Sequence, residues 1–196
     1  DLYTILQWNE DNDIKFFRLS SEFFPWASEY DFEQLPHYKS IQYWAKKCGD
    51  YARLHGHRLT SHPGPFNKLT SPKEHVIQNT IKDLEIHGRF FDLLGLPRSP
   101  YAKLNIHVGA HYNDKQMALS NFCRNFERLS EGVRSRLTVE NDDKASLYST
   151  KELYDEIYSR IGIPIVHDVH HHKFCTGGID DEEAMLTAAM TWGDVK

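Results

Sequence analysis

Five times over, the chain repeats one order: a short run of β-forming residues, a loop carrying an ionisable side chain, and an amphipathic helix. The β-forming runs fall at residues 14–19, 58–61, 101–106, 136–139 and 163–166. Alternating strand and helix patterns call for a parallel sheet, because each helix carries the chain back to start the next strand in the same direction. Short strands with one layer of amphipathic helices leave two architectures: an open sheet or part of a (β/α)8 barrel. No GxGxxG follows the first strand, which counts against a dinucleotide-binding fold.

Helices are expected at 1–12, 36–54, 114–129, 150–162 and 180–190. In the second, Ile41, Trp44, Cys48, Tyr51 and Leu54 recur at three- and four-residue spacing. A further helix is expected with Ser71 as its cap and Pro72 at its first position, running to Gly95. No linker or composition shift divides the 196 residues, so a single domain over 1–196 is expected. Asp1 opens inside a helical pattern, so the chain reads as starting part-way into a larger fold, incomplete at both ends.

Hydrophobic residues make up 40% and charged residues 26%, a globular composition. No apolar run nears the ~20 residues needed to span a bilayer. Cys48, Cys123 and Cys175 are far apart and form no CxxC pair. That argues against a disulfide framework or zinc ribbon and for a reducing, intracellular compartment. The net charge of −5 disfavours a simple basic nucleic-acid binder. It leaves room for an acidic metalloenzyme, whose bound cations invert the local field. Twelve histidines are the compositional oddity.

The ionisable residues after each run form a series: Glu29, His62, His107, Glu140, then Asp168 and His171. In a parallel barrel these positions share the C-terminal face. Taken singly, His62 is equally a turn residue and His107 a core histidine. Glu140 is more informative, since a carboxylate on the inward side of a buried strand must be paired or bind a cation. Mixed imidazole and carboxylate ligands suit manganese, iron or zinc, and a set this large fits more than one ion. There is no nucleophile elbow. Strand alternation would turn His170 and His172 away from His171, and His167 into the helix layer. His55, His57, His75 and His87 read as structural or exposed.

The motifs Phe17-Arg-Leu-Ser-Ser21, Phe24-Pro-Trp-Ala-Ser28, Leu59-Thr-Ser-His-Pro-Gly64, Leu104-Asn-Ile-His-Val-Gly109, Leu137-Thr-Val-Glu-Asn-Asp142, Val166-His-Asp-Val-His-His-His172 and Thr191-Trp192 occur in this order. Together they resemble the UV damage endonucleases, distant relatives of the apurinic endonuclease IV barrels. The resemblance implies a TIM barrel of which this chain covers about five or six βα units. It implies a cluster of divalent metals, usually manganese with zinc or magnesium as alternatives. It also implies incision of damaged double-stranded DNA on the 5′ side of UV photoproducts and some other lesions, abasic sites among them. Carried over by position, His62, His107, Glu140, Asp168 and His171 are metal ligands, with Glu140, His107 and Asp168 closest to the chemistry. Glu29 stands where the family has a histidine, and would serve as a carboxylate ligand in its place. Pro65 and Phe66 stand where the family has glutamine and an aromatic that probe the duplex. Phe66 keeps a stacking surface; Pro65 loses the amide. The implied protein is a monomer that acts where DNA is, in cytoplasm or nucleus.

Two rival readings share these residues. A metal-dependent sugar isomerase on the same barrel also places His, Glu and Asp at strand ends. A catalytically impaired damage-binding protein would account for Glu29 and Pro65.

Overall fold

The computed structural model describes residues 1–193; Lys196, which the sequence leaves without a role, lies outside them. The chain opens with helix α1 (Leu2–Asp11) and strand β1 (Phe16–Leu19), then a long loop with two 3-10 turns leads to α2 (Tyr38–His55). Strand β2 (Arg58–Ser61) and α3 (Glu74–Leu93) follow, then β3 (Leu104–His107) and α4 (Lys115–Phe126). The short α5 (Glu131–Arg134) precedes β4 (Leu137–Glu140). Next come α6 (Thr150–Leu153), a π-helical stretch at Tyr154–Tyr158, and α7 (Ser159–Ile161). Strand β5 (Ile165–Val166), the one-turn α8 (Val169–His172) and α9 (Asp181–Met190) close the described chain.

All five strands pair in parallel, in the order β1-β2-β3-β4-β5. A doubly wound sheet reverses its strand order part-way; this one does not. Sequential parallel strands, each followed by helix, are consecutive units of a (β/α)8 barrel, as expected. The register lines up Arg18 with Thr60, His107 with Glu140, and Glu140 with Val166. In-register neighbours point to the same side of a sheet, and side chains alternate along each strand. One side therefore carries Leu59, Leu104, Ile106, Leu137, Val139 and Ile165, all buried in the main apolar core. The other carries Thr60, Asn105, His107, Thr138 and Glu140.

Several boundaries differ from the sequence expectations. Helix α3 starts at Glu74 with Lys73 at its cap, not at Pro72. The Ser71 hydroxyl instead accepts from Lys73 N at 3.1 Å, a local turn that competes with helix. Residues 100–102 form a 3-10 turn, so β3 begins at Leu104. After β5 the backbone does not stay extended. Asp168 caps α8 by accepting from His171 N at 2.9 Å, so the three histidines diverge by helical rather than strand geometry.

Two contacts fasten the helix layer. Arg136, fully buried just before β4, donates to the carbonyls of Leu96 (2.7 Å), Gly132 (2.9 Å) and Pro97 (3.0 Å) and pairs with Asp92 at 2.9 Å. It thereby satisfies loop carbonyls that would otherwise be buried without donors. Gly49 on α2 lies against the end of α3: a Cβ there would sit 1.6 Å from the Leu94 carbonyl oxygen. Because the obstruction is backbone, Gly49→Ala should cost about 3 kcal/mol. In a chain this size that lowers Tm by roughly 6–12 °C in a thermal melt.

Candidate metal centre

The strand ends deliver their side chains to one place. His62 follows β2 directly, His107 is the last residue of β3, and Glu140 is the last residue of β4. Asp168 caps the turn after β5 and His171 lies on that turn. Two groups form around Glu140: His62, His107 and Glu140, and Glu140, Asp168 and His171. Within each group the ligand atoms lie within 4.8 Å of one another. Glu140 belongs to both. Its Oε2 is 3.4 Å from His62 Nε2, and its Oε1 is 3.6 Å from His171 Nδ1 and 4.0 Å from His107 Nε2.

Glu140 is buried, which by itself raises a carboxyl pKa. The hydrogen bond from His62, the charge of His107 and the Asn105 amide outweigh burial and hold the group below the ordinary glutamate value. Asn105 is itself oriented: its Oδ1 accepts from Thr138 Oγ1 at 2.7 Å, which turns its amide nitrogen towards Glu140 Oε2. Among the described residues, the ion-pair partners of Glu140 are imidazoles alone.

The histidines are oriented by backbone oxygens. His62 Nδ1 lies 3.1 Å from the Pro63 carbonyl, and His171 Nδ1 lies 2.9 Å from the Asn141 carbonyl. A carbonyl only accepts, so each Nδ1 is the donor in that bond. This is how metal-binding histidines are usually held. His107 is placed differently. Asp142 Oδ1 is 3.3 Å from its Nδ1, but at an angle that leaves this buried nitrogen without a hydrogen bond. Burial lowers the pKa of this ring; Asp142 and Glu140 more than offset that, and the net shift is upward. Three imidazoles and two carboxylates that draw together, with no lysine or arginine ion-paired to Glu140 among the described residues, are a donor set that fits divalent cations.

Asn141 ties the two groups together. Its side-chain oxygen accepts from Asp168 N at 2.6 Å and its amide donates to Asp168 O at 3.0 Å, fixing the end of β5 against the end of β4. Asn141 and Asn105 lie inside the strand-end motifs, but the sequence alone gives no sign that they position the ligands. Their partners are 27 and 35 residues away.

Glu29 is set apart. It is exposed at the end of a 3-10 turn (Ala27–Glu29), its carboxylate accepts from the adjacent Ser28 hydroxyl at 3.2 Å, and it belongs to neither group. The loop after β1 is long enough to wind away from the strand ends before Glu29 is reached. His167 bridges Thr150 Oγ1 (2.9 Å) and Asp181 Oδ1 (3.0 Å) in the helix layer, and buried His172 contacts the Ile179 carbonyl at 3.2 Å. His170 is exposed. Pro65 and Phe66 form the exposed tip of the turn that follows His62. Pro65 borders a cleft of about 790 Å3 that contains His62, His107 and His171 and is walled by Lys68, His111 and Lys144. The three cysteines are free, and no helix among the described residues is long and apolar enough to cross a membrane.

Comparison with known proteins accords with this arrangement. Residues 1–196 match the family described as UV-endonuclease UvdE. A UV-damage endonuclease of Neurospora crassa is 37% identical over 205 residues, covering 98% of this chain and 30% of that protein. The crystal structure of SacUVDE is similar with a TM-score of 0.88 at 33% identity, over 98% of this chain and 64% of that one. The crystal structure of a D-psicose 3-epimerase from Clostridium cellulolyticum H10 gives a TM-score of 0.69 over 98% of this chain and 66% of that one. At 12% identity it carries the fold alone. The chain thus spans about a third of the length of its fungal relative and under two thirds of SacUVDE. Matched along its whole length and built on the same barrel, the chain belongs to the UvdE family of UV endonucleases.

Proposed function

We propose that this chain forms the metal-binding face of a DNA-repair endonuclease, a single domain over residues 1–196. It cuts damaged double-stranded DNA on the 5′ side of UV photoproducts, with abasic sites as further substrates. The observation that carries the reading is the sharing of Glu140 between two ligand groups. His62, His107 and Glu140 would hold one divalent ion, and Glu140, Asp168 and His171 a second, with Glu140 bridging. Manganese suits the mixed nitrogen and oxygen donors best, with zinc or magnesium as alternatives. When bound, such ions lower the pKa of water and neutralise charge on phosphate and leaving oxygen.

The chain's own residues set the geometry. The Pro63 and Asn141 carbonyls accept from Nδ1 of His62 and His171 and so fix the orientation of both rings. Asn105 and Thr138 fix the Glu140 carboxylate, and Asn141 fixes Asp168. Lys68 and Lys144 on the cleft wall are placed to meet backbone phosphates. Phe66 offers an apolar face to bases at the rim. Hydrolysis joins a water oxygen to phosphorus and breaks the bond to the 3′ oxygen, leaving a 3′ hydroxyl and a 5′ phosphate. Glu29, exposed and apart, is not assigned to this ligand set. The protein would act as a monomer wherever the cell keeps its DNA.

The test is nicking of UV-irradiated plasmid and of defined lesion duplexes with added manganese, zinc or chelator. Incision should require metal, and Glu140→Gln should reduce it by more than about 100-fold with the thermal melt retained. A fully active Glu140→Gln variant would sink the reading. Tight binding of irradiated duplex without any nicking in manganese would instead favour a damage-binding protein that does not cut. Interconversion of an aldose and a ketose would favour a sugar isomerase. Separately, Asn141→Ala should weaken manganese binding about 10- to 100-fold in a calorimetric titration, since it frees Asp168 without removing a ligand.

A further inference from the structure

Helix α3 carries a polar stripe on the side that meets the segment after β2. Thr80, Asp83 and His87 follow one another at three- and four-residue spacing, so they share one side of the helix. Each meets a different point between Ser61 and Lys68. Thr80 Oγ1 accepts from Lys68 N at 3.0 Å, Asp83 Oδ2 accepts from Asn67 Nδ2 at 2.7 Å, and His87 Nδ1 lies 3.3 Å from Ser61 Oγ. Asn67 in turn donates to the Gly64 carbonyl from its backbone N–H and its side-chain amide, at 3.2 and 3.1 Å. His62 lies inside this segment, directly after Ser61.

His87 and Ser61 are both buried. Phe23 packs edge-on against the His87 ring, 4.8 Å between centroids. Burial holds the pKa of this ring at about 4, against the pull of Asp83, so at neutral pH it carries a single proton. Nε2 faces the Asp83 carboxylate at 3.8 Å, which favours the proton there. Nδ1 is then the acceptor for the Ser61 hydroxyl. Ser61 pairs in register with Leu104, on the core side of the sheet. Side chains alternate along a strand, so His62 points to the other side, where it meets Glu140 at 3.4 Å. An apolar pair of the same shape would serve stability about as well as this buried Ser61–His87 bond. What the bond adds is direction.

We propose that His87 is a positioning residue for His62, acting through Ser61 and oriented by Asp83. The assignment rests on the metal reading above. His87 fixes the residue before the ligand, while Asp83 and Thr80 tie down Asn67 and Lys68 after it. The backbone at His62 is thus held from α3 on both sides. The Pro63 carbonyl can aim the His62 ring only if that backbone is still. Groups that orient a metal ligand without touching the ion are worth about 10- to 100-fold in affinity. Of the two ligand groups around Glu140, one contains His62 and the other does not. The influence of His87 therefore falls on the first group alone.

Manganese is titrated calorimetrically into the full chain and into His87→Phe, His87→Asn and Ser61→Ala, each with and without His62→Ala. Phenylalanine keeps a ring against Phe23 and removes the polar atoms. His87→Phe should weaken one of the two binding events about tenfold and leave the other unchanged. His87→Asn, which keeps an acceptor where Nδ1 stands, should retain most of the affinity. In the His62→Ala background, His87→Phe should cause no further loss, because the ligand through which it acts is gone. Ser61→Ala should give the same pattern, and it carries the test if His87→Phe does not fold. In the metal-free chain at neutral pH, imidazole nitrogen NMR shifts should show His87 neutral with its proton on Nε2. A proton on Nδ1, unchanged affinity in His87→Phe, or an equal loss in the His62→Ala background overturns the assignment and leaves the metal reading standing. A native chain that binds no manganese removes both.

Discussion

A carboxylate withdrawn from water at the end of a buried strand has to be answered by positive charge or by hydrogen-bond donors. Glu140 is that carboxylate, and the site is built around it. The parallel register sets His107 directly beside it on β3. His62 and His171 come in from the two flanking strand ends, at 3.4 and 3.6 Å. No lysine or arginine among the described residues forms an ion pair with it. A guanidinium would settle the charge permanently. Imidazoles do not settle it permanently, because a neutral imidazole is itself a ligand for a divalent cation.

The barrel supplies the precision. On the helix side of the strands, Leu59, Leu104, Ile106, Leu137 and Val139 are packed in the core, so each strand is locked in register by apolar burial. On the other side, the Thr138–Asn105–Glu140 chain forms a polar layer beneath the ligands. Asn141 extends it sideways to β5. Buried polar networks of this kind are favourable when their members are satisfied. The buried Nδ1 of His107 and the Thr60 hydroxyl have no hydrogen bond among the described residues, and the first of these sits at the cluster itself.

Much of this was legible in the sequence because two simple periods carry it. Runs of β-formers followed by amphipathic helices define the βα units, and an ionisable residue at the end of a strand points along the barrel axis wherever that strand lies. His62, His107, Glu140, Asp168 and His171 were all found that way, and all five converge. What was not legible depended on local hydrogen bonds. Ser71 closes its own turn in place of capping α3. Asp168 winds the next residues into a helical turn, so strand alternation gives the wrong reason for His170 and His172 lying apart from His171. Glu29 follows a long loop whose path is set by the packing of Phe23, Phe24, Phe32 and Phe90, contacts distant in sequence. The asparagines that orient the ligands are equally silent, since an amide in a strand carries no sign of the partner it will meet.

The central claim is that Glu140 is shared between two cation sites. A crystal of the chain grown with manganese, with diffraction data collected on both sides of the manganese absorption edge, addresses it most directly. The account calls for two anomalous peaks, one between His62, His107 and Glu140 and the other between Glu140, Asp168 and His171, each within about 2.0–2.3 Å of its ligand atoms. A crystal in which manganese occupies neither position, or binds at Glu29 and leaves Glu140 bare, would contradict it.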